Sequence, residues 1–117
     1  MKDDFWAFLE QLITENKIKL DRPKGSHHPR YPQVVYPLDY GFLENTSSLD
    51  GAGMDIWLGG SVSRQLTGII ITVDLIKQDS EIKLLLGCSD EEIQTVFNFH
   101  NQNSMRALLV KRFTEVK

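Results

Sequence analysis

YPLDYGFLENTSSLDGAGMDIWLG, residues 36–59, consists of two strand-like runs joined by a polar loop. Tyr40, Phe42 and Leu43 carry the first run. In the second, Met54, Ile56 and Leu58 alternate with Asp55 and Trp57, the period-two pattern of a half-buried strand. Between the runs, Asp50 and Asp55 flank Gly51-Ala52-Gly53-Met54, and the glycines let the backbone bend until both carboxylates aim at one point. Oxygen ligands that converge in this way suit a hard cation such as Mg²⁺. The same composition also makes an ordinary hairpin turn, so spacing alone leaves both readings open.

Working outward, the chain reads as strands bracketed by two helices. Phe5, Phe8, Leu9, Leu12 and Ile13 recur at helical spacing, which predicts a helix over about 3–15, capped by Asp3 or Asp4. If Trp6 stays exposed, this helix offers a surface for self-association. Strands are predicted at 17–21, 34–44, 54–59, 66–76, 81–86 and 105–113. The run over 66–76, LTGIIITVDLI, is the most apolar and β-branched, as expected of a central strand. A second helix is predicted over 89–101. There Ser89 and Glu92 form a capping box, and Ile93, Val96, Phe97 and His100 share a face.

Residues 22–32, RPKGSHHPRYP, form a proline-stiffened connection. Its basic residues also suit an anion: Lys24, His27, His28 and Arg30 can offer charge-assisted hydrogen bonds to phosphate, and the His pair can ligate metal. Cys88 has no His or Asp partner series and reads as core.

The bulk properties bound the rest. The 117 residues suit one domain, 1–117. A hydrophobic content of 41% and a charged content of 25% are ordinary for a globular protein. A net charge of -3 argues against a nucleic-acid surface. No apolar run is long enough to span a bilayer and no signal peptide is evident; with a single cysteine, this predicts a cytoplasmic protein without a membrane partner.

Tyr36, Pro37, Tyr40, Gly41, Thr46, Leu49, Asp50, Gly51 and Asp55 together resemble the active-site stretch YPxNYGxIxxTxSxDGDPxD of the soluble family I inorganic pyrophosphatases. The family's central DGDPxD is DGAGMD here, so Ala52 and Gly53 replace Asp and Pro. Upstream, Asp21-Arg22-Pro23 stands where the family has Glu-x-Pro, and Arg30-Tyr31-Pro32 where it has Lys-Tyr-Glu. Downstream, Asp79, Glu81 and Lys83 follow the order of its two metal-binding Asp and a Lys. An Arg-bearing hairpin of the family is reduced to Gln33-Val34-Val35. Its C-terminal Tyr-Lys pair would fall near His100 and Asn101, leaving Arg106 or Arg112 as stand-ins.

The resemblance implies an α+β, mainly β fold: a small OB-like barrel of five to six strands with an N-terminal and a C-terminal helix. It implies Mg²⁺-dependent hydrolysis of diphosphate, with Mn²⁺ as the substitute metal, in a homo-oligomer. Asp50, Asp55, Asp79 and Glu81 would hold the metal, with Asp21 in the place of a further acid. Arg30, Tyr40 and Lys83, joined by Lys24, would hold phosphate, and Asp55 and Tyr40 would stand in the catalytic machinery. In the family the middle Asp of the loop takes the proton of the attacking water. Ala52 cannot, which predicts slow turnover or another base, with Asp39 as candidate. Two alternatives follow: hydrolysis of a different phosphoanhydride or phosphoester, or a non-catalytic barrel that keeps a phosphate or metal site.

Overall fold

Alternation of side chains builds the sheet. In the computed structural model, which describes residues 4–48 and 52–112, β3 (Met54–Leu58) turns Ile56 and Leu58 to one face and Asp55 and Trp57 to the other. The preceding strand, β2 (Asp39–Leu43), pairs with it as an antiparallel hairpin that sets Tyr40 opposite Trp57. On its other side β3 runs parallel to β5 (Asp79–Leu86), with Asp55 opposite Lys83 and Trp57 opposite Leu85. Further out, β4 (Leu66–Asp74) pairs with β5, and β6 (Met105–Lys111) pairs with β4, both antiparallel. The remaining strand, β1 (Ile18–Arg22), joins β2, giving the order β1-β2-β3-β5-β4-β6.

The fold is therefore α+β and mainly β, as expected, but the sheet is open. No strand pairing among the described residues joins β1 to β6, so the expected barrel does not close. Closure is one way to shelter the two faces of a sheet. Here two helices take that role instead. From α1 (Asp4–Glu15), Leu9 is buried against Leu43, Ile56, Leu58, Ile69, Leu84 and Leu86 on one face. From α2 (Asp90–Phe99), Ile93 and Val96 pack on Trp57, Ile70 and Leu85 on the other. Burying each such side chain contributes roughly 1.5–3 kcal/mol before chain entropy is counted.

Several boundaries shift from the sequence reading. Only Val35, bridged to His27, pairs within residues 34–38; Pro37 lacks the N–H a ladder needs. The hairpin after β4 turns at 75–78, with Gln78 left-handed (φ 59°), so Asp79 and Ser80 belong to β5. The inward stripe of α1 runs through Trp6, Leu9 and Ile13, leaving Phe5, Phe8 and Leu12 exposed. Trp6 is half-buried, with the Arg112 guanidinium 6.0 Å above its ring. The expected cap Asp3 lies outside the described residues. Ser89 does cap α2: its hydroxyl accepts the Glu92 N–H, and the Glu92 carboxylate accepts the Ser89 and Gly60 N–H groups. Among the described residues, no helix is long and apolar enough to cross a membrane.

Candidate functional site

The face of the sheet that α2 partly covers carries the polar side chains. The Asp55–Lys83 register and the parity of Glu81 and Lys83 place three charges side by side. Lys83 Nζ lies 2.8 Å from Asp55 Oδ2, 3.3 Å from Glu81 Oε1 and 2.8 Å from the Tyr40 hydroxyl. An ammonium has three N–H donors, and here each has its acceptor. Lys83 is 4% exposed and Glu81 8%, so the cluster is held away from water, where an unpaired charge is very costly.

Burial, reinforced by the charge of Asp55 and a hydrogen bond to it, holds the Tyr40 phenol well above its ordinary range. Tyr40 therefore stays neutral. Its ring packs 4.5 Å from that of Trp57, whose Nε1–H donates to His100 Nε2 at 3.0 Å. That bond puts the imidazole proton on Nδ1. Burial first, then the nearby Lys83 charge, lowers the His100 pKa to about 3. His100 is thus a neutral acceptor under the cluster, buried at the C-terminal end of α2.

Above these groups opens a cavity of about 530 Å³. Its polar floor is Tyr40, Asp55, Glu81 and Lys83, and its rim includes Asp21, Asp74 and Lys77. Two carboxylates aimed at one point form a donor set that Mg²⁺ uses together with water and substrate oxygens. Among the described residues, no group of three or more His, Cys, Asp or Glu gathers to enclose a metal.

The chain is similar to curated inorganic pyrophosphatases. Those of Geobacillus stearothermophilus and Bacillus sp. (strain PS3) are each 28% identical to it over 88 residues, covering 65% of this chain and 53% of the relative. The chain thus spans about half the length of the curated relatives it matches. No protein-family model matches it.

Of the residues singled out by the pyrophosphatase resemblance, the cavity gathers Asp21, Tyr40, Asp55, Glu81 and Lys83. Asp50 lies outside the described residues. Asp79 lies 3.4 Å from Lys77 Nζ and is not part of the cavity wall; Asp74, its partner across the hairpin, is. Asp74 Oδ1 accepts the N–H groups of Ile76 and Lys77 and the Ser104 hydroxyl, and these bonds hold its pKa below the usual carboxylate value. Asp39 alternates away from Tyr40 and accepts the Lys24 N–H at 2.7 Å. Lys24 itself lines a separate cavity of about 650 Å³ beside Cys88 and the start of α2.

Arg30 is exposed and outside the cavity wall. The adjacent histidines diverge: His27 Nδ1 donates to the Pro32 carbonyl, whereas His28 Nδ1 accepts from the Arg30 and Tyr31 N–H groups. Arg106 donates to the Asn103 and Met105 carbonyls, and Arg112 to Glu10, so neither replaces the missing Tyr-Lys pair in the cavity. Cys88 is buried, which pushes its thiol up to about 12 and keeps it protonated.

Asp74 and Lys77 line the cavity in addition to the residues expected from sequence. The signal for Asp74 was present: it ends β4 at the same parity as Ile70 and Thr72, which face inward. Ala52 also lines the cavity, in the loop position where the resemblance places a proton acceptor.

Proposed function

We propose that this chain is a pyrophosphatase-like hydrolase that cleaves a phosphoanhydride with the help of Mg²⁺. The observation that carries the reading is the Tyr40-Asp55-Glu81-Lys83 cluster, built around the buried Lys83 at the floor of one cavity, in a chain similar to inorganic pyrophosphatases. In this proposal Asp55 and Glu81, with Asp50 from the loop, hold the metal, which when bound activates water and neutralises phosphate charge. Lys83 and Tyr40 bind and orient phosphate oxygens: the lysine offers an ammonium, and the high phenol pKa keeps the tyrosine proton available as a donor. Trp57, itself held by the hydrogen bond to His100, backs the Tyr40 ring. Self-association of the chain belongs to the same proposal, with the exposed Phe5, Phe8 and Leu12 of α1 as its contact surface.

Phosphate release from inorganic diphosphate in the presence of Mg²⁺ tests the reading. Asp55→Asn is expected to reduce kcat at least a hundredfold while the folded signal persists. Equal turnover in wild type and variant removes the cluster from the chemistry. Ala52 at the cavity wall favours a second reading, an open-sheet domain that binds phosphate without turning it over. Calorimetric binding of diphosphate with no phosphate release would select that reading.

A further inference from the structure

Resting on the phosphoanhydride reading just given, we propose that the substrate carries a planar ring, as a nucleoside di- or triphosphate does, and that bare diphosphate is the poorer substrate. At about 530 Å³ the cavity falls in the range of roughly 300–1,000 Å³ that encloses drug-sized ligands, well beyond what a diphosphate fills. Its chemistry changes from one part to the next. The floor is charged, through Lys83, Asp55 and Glu81, while one wall is aromatic, through His28, Tyr31 and Tyr36.

Core packing accounts for Tyr36, which is buried among Leu38, Trp57 and Ile70. It does not account for Tyr31. That ring is 51% exposed and belongs to neither hydrophobic cluster. It is nevertheless held in place: its N–H donates to His28 Nδ1 at 3.2 Å, and its ring contacts the imidazole at 5.2 Å. The His28 ring in turn lies within 9° of parallel to that of Tyr36. A fixed, accessible aromatic at the edge of a cavity whose floor sets the Lys83 ammonium between two carboxylates is what a flat ring bearing a magnesium-complexed phosphate chain would use. Stacking supplies sequence-tolerant affinity, and the amides of Gln102 and Asn103, which also line the cavity, can meet the ring's polar edge. Bond cleavage is unchanged by the ring: water adds to a phosphorus and gives up a proton to solvent, the bridging P–O bond breaks, and the leaving phosphate group takes the electron pair.

The test compares kcat/KM for adenosine diphosphate and adenosine triphosphate with that for diphosphate and tripolyphosphate, all with Mg²⁺. The nucleotides are expected to win by roughly tenfold or more, and Tyr31→Ala is expected to erase most of that ratio while Tyr31→Phe preserves it. Because Tyr31 lies outside the core clusters, the Ala variant is expected to fold, which circular dichroism verifies. Cleavage of the inorganic compounds as fast as the nucleotides, or an unchanged ratio in Tyr31→Ala, overturns the ring proposal and leaves the hydrolase standing. If no anhydride of either kind is bound or cleaved, the hydrolase reading fails and this one falls with it.

Discussion

A single methyl group sits where the pyrophosphatase resemblance expects a proton acceptor. Ala52 lines the cavity, and positioned general-base help is worth roughly two to four orders of magnitude in rate. Ala52→Asp is therefore expected to raise kcat by about tenfold or more at neutral pH; a steady-state phosphate assay that shows no gain would argue for the non-catalytic reading. His100 makes a separate prediction. With a folded pKa of about 3 and an ordinary value of 6.5, it binds a proton in the unfolded chain first. Its contribution to stability is complete above pH 6.5 and is lost as pH falls toward 3, by about 1.4 kcal/mol per unit at most. Urea melts at pH 7 and pH 5 should show this loss in wild type and a flatter response in His100→Gln. At this scale, alternation placed Glu81 and Lys83 on one face from sequence alone. The resemblance points to Asp79 by its order of acids, whereas the turn that presents Asp74 is set by side-chain bonds to Ile76 and Lys77 that no periodicity reports.

The β2–β3 hairpin explains why several motif residues need no ligand to account for them. Thr46 donates its hydroxyl to the Leu43 carbonyl and accepts the Met54 N–H, closing the base of the loop that carries Ala52. Gly41 allows β1 to approach: a Cβ there would overlap the Lys19 carbonyl. Backbone must shift to admit it, so Gly41→Ala is expected to cost about 1–3 kcal/mol, read from the midpoint of urea unfolding. A stable Gly41→Ala chain would mean that β1 is free to move away. Most strands were legible because apolar runs of alternating parity are a local signal. The inward stripe of α1 was not, since Trp6, Phe5 and Phe8 are all apolar and only contact with the sheet selects among them.

Across the whole molecule, the side of the sheet covered by α1 remains partly bare. Ile82, Val73 and Leu108 are 41%, 49% and 61% exposed beyond the helix, and Phe8 on the helix is 70% exposed. Large exposed apolar groups on one side are costly to leave in water and favour association. The proposed self-association through this side predicts that Phe8→Glu lowers the mass seen by sedimentation without loss of fold; an unchanged mass would place the contact elsewhere. The open sheet was not legible in the sequence. Whether β1 meets β6 depends on the summed twist and tilt of six strands, and no single residue encodes it.

One ammonium ties the parts together. Lys83 has no spare proton: Tyr40, Asp55 and Glu81 take all three. While those three acceptors are taken, the ammonium is unavailable to an anion. If Asp55 and Glu81 were to hold Mg²⁺ as proposed, Lys83 would lose two of its three acceptors, and its ammonium would be free to serve a phosphate. The two guests should therefore recruit one another. Thermodynamic reciprocity then requires that Mg²⁺ tighten the binding of a non-hydrolysable diphosphate analogue by the same factor as the analogue tightens Mg²⁺, on the order of 5–150-fold.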